Sequence, residues 1–538
     1  MRLTSIFLPA LSCWTSTTAA DQQVILTQHQ SQAKPLNVAI IGAGAAGSST
    51  AYYLSKYGAS SSLPLNITIF ERNGFIGGRS TTVSAYNDTA LPVELGASIF
   101  VSVNQILVEA VKEFNFSTNA FREASKKKIP GDEVAIWNGD KFVLSLNGYW
   151  WDLAKLFWRY GTAPVKTQSL MKKTLSKFMK LYEEPYFPFK SLTQAAQEVE
   201  LLAVTAATGE QYMRENGIGG LFGKEVVQAS TRVNYAQNLE YIHGLEAMVC
   251  MATDGAMAVE GGNWQIFDAM VRNSGANVKL DTVVGGIWPQ NQGSYALNFS
   301  HPDGSGSGFE LFDAVVLAAP YQFSQLKSLG LETNDDYPDE IPYVQLHVTL
   351  FTSPHLLSPN FFGLPSDKPA PQVILTTIPE GEPAKKGPKG VGSPGFFSIS
   401  LLRTIMNPNT SAQEYLYKIF SPQEPTPGFL ADLLGVTDLP GHDEDSINER
   451  DVTWIYRKVW DSYPYEYPRV TFEDVKLGEN LWYTAGMDSF ISTMETNALM
   501  GKNVAKLVVE EFDEREVTEE TGKIEEPGVI SYTREWLR

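Results

Sequence analysis

Between Val38 and Gly58 the chain reads VAIIGAGAAGSSTAYYLSKYG, and three glycines in it are spaced to meet an anion. Gly42 permits a tight strand-to-helix turn, Gly44 lets the backbone approach a pyrophosphate, and Gly47 lets helix and strand pack closely. The N–H groups that open the helix, around Ala45 and Ala46, then face the phosphates together with the helix dipole. Glu71, at the end of the next strand, can accept hydrogen bonds from both hydroxyls of a ribose and would repel a 2′-phosphate. This is the chemistry of a dinucleotide site, for NAD or FAD rather than NADP.

These residues need a strand, a helix and a second strand to hold them. Asn37 to Ile41 reads as the first strand, Ala45 to Tyr57 as the helix, and Asn66 to Phe70 as the second strand, one βαβ unit. Gln105 to Phe114 reads as a surface helix. In Trp151 to Tyr160, Leu153, Leu156, Phe157 and Tyr160 follow helical spacing and read as a core stripe. NVKLDTVVGGI (277–287) and DAVVLAAP (313–320) read as strands of the opening sheet, and Phe351 to Gly395 as a long Pro- and Gly-rich loop. The acidic runs HDEDSINERD and EEFDERE read as solvated faces.

Two further segments narrow the cofactor. FIGGRSTT (75–82) resembles the second glycine motif of the amine-oxidase-like flavoproteins, which lies against the FAD pyrophosphate. The resemblance implies cofactor contacts from Gly77, Gly78 and Arg79, although Phe75 stands where many relatives have Arg. LWYTAGMDSFISTMETNALMGKNVAKLV (481–508) is similar to the closing segment of the same class. It implies that Gly486 and Asp488 lie near the ribityl and pyrophosphate. It also implies that the helix N-terminus at Met494 and Glu495 faces the N1–C2=O edge of the flavin, where the dipole favours the negative charge of the reduced ring. Arg72 and Val283 complete the implied cofactor set. No cysteine lies near the closing segment, so the FAD is expected to be non-covalent, and no metal is expected.

TRVNYAQN (231–238) and DGAMAVEGGNWQIFDAMV (254–271) resemble the signature of the prenylcysteine oxidase family, and YVQLHVTLF (343–351) suits its prenylcysteine lyase region. The resemblance covers roughly Leu36 to Val508. It implies an FAD-dependent thioether oxidase that converts S-farnesyl- or S-geranylgeranyl-cysteine to cysteine, a prenyl aldehyde and hydrogen peroxide, with O₂ as acceptor. Arg232 is a candidate for binding the cysteine carboxylate. Glu260 either orients the substrate ammonium or caps the following helix, and Asn263 lies with Gly261 and Gly262 near the flavin. His243 and His347 read as structural histidines rather than bases. Two other readings stay open: a flavin amine oxidase or isoprenoid tailoring oxidase on the same scaffold, and a non-catalytic flavin protein that binds lipid or a partner.

The expected fold is α/β, a Rossmann-like FAD-binding domain discontinuous in sequence, with an α+β substrate domain. The FAD-binding segments are 36–100, 241–325 and 476–512, the substrate segments 101–240 and 326–475, with a signal peptide at 1–20 and an acidic tail at 513–538. A net charge of −19 over 538 residues argues against nucleic acid as a partner. Arg2, the apolar run to Trp14 and the small residues before Ala20 read as an export signal. Sequons at Asn66, Asn87, Asn115, Asn298 and Asn409 fit a secretory route, to the lysosome or vacuole or outside the cell. No later stretch reads as transmembrane, a peripheral membrane contact stays open, and Cys250, the one cysteine after the leader, reads as a buried small hydrophobe.

Overall fold

The computed structural model describes residues 34–120, 129–131, 133–147, 151–333, 337–437 and 446–522. The expected signal peptide, the end of the acidic tail and part of the HDEDSINERD run lie outside the described residues. The first layer is a six-stranded sheet in the order Lys476–Gly478, Leu481–Tyr483, Ala314–Leu317, Leu36–Ile41, Leu65–Phe70 and Asn277–Lys279. All neighbours pair parallel except the first two. The central strands are apolar on both faces because helices cover one side and a three-stranded antiparallel sheet the other.

Two long helices, Ala45–Ser61 and Met494–Gly522, cross on this sheet almost backbone to backbone. A Cβ on Gly501 would lie 2.2 Å from the Ala46 carbonyl oxygen, and the Ser49 hydroxyl donates to the Ala498 carbonyl at 2.6 Å. The two ends of the fold are thereby locked around one glycine loop.

The second layer is a seven-stranded sheet in the order Trp454–Pro464, Tyr343–Ser353, Gln413–Ser421, Ser398–Met406, Val373–Thr376, Val134–Trp137 and Phe142–Leu146. It is antiparallel throughout except between Val373–Thr376 and Val134–Trp137. Helices from Trp151 to Val249 pack on its far end through an apolar cluster that includes Tyr160, Leu170, Phe222 and Met248. Among the described residues no helix is long and apolar enough to cross a membrane.

Several expectations change. Of 277–287, only Asn277–Lys279 joins the opening sheet. The chain turns at Asp281 (φ 49°), and Val283–Pro289, bulged between Val284 and Gly286, starts the three-stranded sheet instead. The expected loop 351–395 contains the strand Val373–Thr376, whose apolar VILT run is paired on both edges. The Trp151–Tyr160 helix forms, but its inward face is Asp152, Leu156 and Tyr160, so Leu153 and Phe157 are exposed rather than core. Asp451, in a run read as solvated, is buried and bonded to His355 Nε2 at 2.8 Å. The closing helix runs on to Gly522, into the segment read as tail.

Candidate active site

The glycine loop leaves the strand Leu36–Ile41 at Gly42, whose φ of 107° excludes a side chain without strain. The second glycine turn lies against the first: Gly77 N–H donates to the Ala43 carbonyl at 2.9 Å, and a Cβ on Gly78 would lie 3.1 Å from the Gly44 Cα. Glu71 is buried and braces both turns. Its Oε2 accepts the Ala43 N–H at 2.8 Å, and its Oε1 accepts the Asn73 N–H at 2.9 Å. Val283 follows Thr282, whose N–H bonds the Glu71 carbonyl at 2.9 Å, so it stands beside this end of the cradle. Arg72 is exposed and donates to the Phe323 carbonyl.

Arg79 links the second turn to the closing segment. Its guanidinium donates to Asp488 Oδ2 at 2.7 Å and to the Ser462 carbonyl at 2.6 Å. Asp488 is fully buried and also accepts from Tyr343 at 3.0 Å and Asn497 at 2.8 Å. Gly486 is equally enclosed, since a Cβ there would lie 2.9 Å from the Glu473 carbonyl oxygen. The closing helix begins at Met494, behind a reciprocal cap in which Thr493 and Thr496 each bond the other's N–H. Glu495 departs from expectation. Its carboxylate turns away to cap the Gln105–Glu113 helix at Ile106 N–H (2.9 Å) and Leu107 N–H (3.0 Å), and it accepts from the Tyr182 hydroxyl (2.9 Å). Only its backbone belongs to the helix N-terminus.

The cradle of Gly42, Gly44, Gly77 and Gly78, two buried acids and a helix N-terminus suits a dinucleotide carrying a flavin.

The substrate candidates are placed differently from expectation. Arg232 is fully buried and its guanidinium is spent on Thr376 Oγ1 (3.0 Å), Asn238 Oδ1 (2.8 Å), Gly390 O (2.7 Å) and Val391 O (2.8 Å). It clasps two loops and has no room for a substrate carboxylate. Asn263 is also buried and spent: it accepts the Val259 N–H at 2.9 Å and donates to the Ala97 carbonyl at 2.8 Å. Glu260 is exposed on the preceding turn, and the Trp264–Ser274 helix begins at Asn263 without a side-chain cap, so the capping role falls. His347 is half-buried in a strand. His243 caps the Gly244–Val249 helix, its Nδ1 accepting the Glu246 N–H at 3.1 Å.

Sequence reasoning missed two buried charge clusters. Lys418 is buried and donates to the Glu94 carbonyl and the Ser98 hydroxyl, both at 2.8 Å, while Glu94 Oε1 accepts the Asn263 N–H at 2.6 Å. Burial pushes the Lys418 ammonium down to about 8 and the Glu94 carboxyl up to about 7. The second cluster is His243, Glu246 and Glu466, all buried, whose His Nε2 and four carboxylate oxygens have no hydrogen-bond partner among the described residues. Because Nδ1 accepts a backbone N–H, Nε2 holds the proton and faces Glu466 Oε2 at 3.6 Å, so it has no lone pair for a metal. The signal for Glu246 was present: an acid inside the apolar run Leu245 to Met251.

This cluster sets a pH dependence. Burial raises the Glu246 carboxyl to about 8 and Glu466 well above its ordinary value, while burial and Arg469 lower His243 to about 3. Above pH 6.5, the ordinary histidine value, His243 is neutral folded or unfolded, and only the carboxyls count. The folded protein holds their protons and the unfolded chain releases them, so stability falls as pH rises from 6.5 to 8. The slope is about 1.4 kcal/mol per pH unit for each proton held. Denaturant unfolding across this window is expected to show Glu246→Gln with a shallower slope than the parent. Equal slopes would show that Glu246 ionises normally.

An apolar cavity of about 170 Å³ lies between the end of the seven-stranded sheet and the Gln228–Tyr235 helix. Ile136, Leu144, Val226, Cys250, Met251 and Leu375 line it, with Ser230 and Thr253 as its polar edge. From Ser230 the helix rises about 7–8 Å to Tyr235. There the Tyr235 hydroxyl bonds the Ser492 carbonyl at 3.1 Å, two residues before the closing helix. One helix thus connects the cavity to the start of the closing helix.

Residues 145–521 match the family model described as prenylcysteine lyase. The chain belongs to the prenylcysteine lyase family. Residues 40–114 match the NAD(P)-binding Rossmann-like domain. Among curated members, the chain is 28% identical to farnesylcysteine lyase of Arabidopsis thaliana over 501 residues, covering 90% of each. It is 26% identical to prenylcysteine oxidase 1 of Mus musculus over 525 residues, covering 91% of this chain and 92% of that one. The fold is similar to that of cyclohexylamine oxidase from Brevibacterium oxydans, with a TM-score of 0.51 at 14% identity, over 89% of this chain and all of the other. This member of the prenylcysteine lyase family is an FAD-dependent oxidoreductase.

Proposed function

We propose that this protein oxidises the thioether of S-prenylcysteine, with water and O₂, to cysteine, a prenyl aldehyde and hydrogen peroxide. The observation that carries the reading is the family match joined to an apolar cavity tied to the cofactor cradle by the Gln228–Tyr235 helix. When bound, FAD supplies the hydride acceptor, so the protein need not provide a strong acid or base. The chain's part is to hold and position. Gly44 and Gly78 leave room for the pyrophosphate, and Asp488, fixed by Arg79, Tyr343 and Asn497, is preorganised for a hydroxyl-bearing linker. The N–H groups at the start of the closing helix favour negative charge at the flavin edge. The apolar side chains of Ile136, Leu144, Val226, Met251 and Leu375 favour an isoprenoid over a polar chain.

The leader and the exposed sequons Asn66, Asn87, Asn115 and Asn409 support a secretory route to the lysosome, vacuole or exterior. The purified flavoprotein is expected to release peroxide with farnesylcysteine or geranylgeranylcysteine and not with putrescine or cyclohexylamine. Peroxide from the amines alone would replace the reading with an amine oxidase.

A further inference from the structure

The helical hairpin from Trp151 to Phe178 carries a surface that the other described residues leave uncovered. In the Trp151–Tyr160 helix, Leu153 is 72% exposed, Phe157 65% and Trp158 91%, and past the turn Val165 is 69% exposed. With Ala154 the first three form a continuous apolar arc away from the inward-facing Asp152, Leu156 and Tyr160. Four large apolar side chains grouped this way are not the scattered exposure that any surface shows.

The charge of the same hairpin is equally out of character. Between Trp151 and Phe178 stand six basic residues and one acidic one on a chain of net −19, and of the six, Arg159 and Lys177 are paired with Glu225 and Glu200. The one acid, Asp152, is buried and held by the Asn147 N–H and by Lys155. Lys166, Lys172 and Lys173 are exposed on the Ala163–Phe178 helix.

We infer that this hairpin docks the protein on an anionic lipid surface. A Trp- and Phe-bearing apolar arc flanked by basic side chains is the pattern of a helix lying in a membrane interface, its apolar face in the acyl boundary and its lysines at the headgroups. A second copy of the chain is a poor occupant, because a two-fold contact through this patch would bring two positive surfaces together. The hairpin also packs, through Leu156, Tyr160 and Leu170, into the apolar cluster that includes the cavity residues Ile136 and Leu144. Docking there would set the cavity near the phase in which a prenylated substrate dissolves. That last link rests on the prenylcysteine reading, and the docking does not.

Flotation of the purified full chain with vesicles tests it. The protein is expected to float with phosphatidylcholine vesicles containing phosphatidylserine, and more weakly as salt is raised. Phe157→Asp with Trp158→Asp is expected to lower the bound fraction at least about tenfold. Lys172→Glu with Lys173→Glu is expected to lower it by about the same factor at low salt. All four side chains are exposed, so both variants should keep the parent's melting temperature, flavin content and peroxide release with dissolved farnesylcysteine. Failure of that assay with normal flotation would count against the substrate reading alone. The docking is overturned if the parent does not float with anionic vesicles, or if the Phe157/Trp158 double variant floats equally well. It is also overturned if sedimentation velocity shows a dimer that the double variant disperses.

Discussion

Gly44→Ala is expected to give a folded, colourless protein, and Gly47→Ala no folded protein at all. The two glycines stand three residues apart in one loop, and the difference lies in what a methyl group would meet. At Gly44 the backbone (φ −77°, ψ −167°) accepts any residue, and an added Cβ finds only the Gly78 Cα, at 3.9 Å. Nothing in the protein resists it. The methyl instead stands on the loop backbone that the pyrophosphate must approach closely. Flavin retention after gel filtration should fall at least about tenfold, equivalent to about 1.4 kcal/mol of binding, with the melting curve of the cofactor-free protein unchanged. At Gly47 an added Cβ would lie 1.9 Å from the Gly42 carbonyl oxygen. Relief requires the helix to leave the strand, which would also pull Ala43 N–H off Glu71. The cost exceeds the about 1–3 kcal/mol typical of overpacking, because the obstacle is backbone and not a side chain that can rotate. A Gly44→Ala protein that keeps its full flavin content would show that the cradle is not the pyrophosphate site.

Arg232→Met is expected to destabilise the fold by about 3–5 kcal/mol. Methionine fills much of the volume but leaves Thr376, Asn238, Gly390 and Val391 each without the donor that Arg232 supplies. It also removes the guanidinium from over the Phe397 ring, 5.4 Å away. Denaturant unfolding should show the loss, while the KM for farnesylcysteine of the protein that stays folded should hold. The opposite pattern, unchanged stability with a raised KM, would return Arg232 to the substrate site.

What could be read from the sequence divides along a physical line. The glycine loop, Glu71, the second glycine turn and the closing helix are local motifs whose spacing carries their geometry, and they meet in one cradle. The Gly501–Ala46 contact was not legible, because it depends on two helices about 450 residues apart choosing each other. In Trp151–Tyr160 the period was right and the face wrong. Leu153 and Phe157 repeat at the same interval as Asp152, Leu156 and Tyr160, and only tertiary packing decides which row turns inward. Arg232 was misread because an arginine in a motif suggests an anion, whereas four neutral acceptors satisfy it. Glu246, Glu466 and Lys418 escaped notice because the burial of a charge is a property of the assembled layers and not of the residues beside it in sequence.

The central claim is that the bound flavin takes electrons from a prenyl thioether. Mixing the yellow protein with farnesylcysteine in the absence of oxygen tests it without reference to turnover. The oxidised flavin is expected to bleach in a single turnover, with release of cysteine and farnesal, and to regain its colour when oxygen is admitted. A flavin confirmed as FAD that stays oxidised with both farnesylcysteine and geranylgeranylcysteine would contradict it.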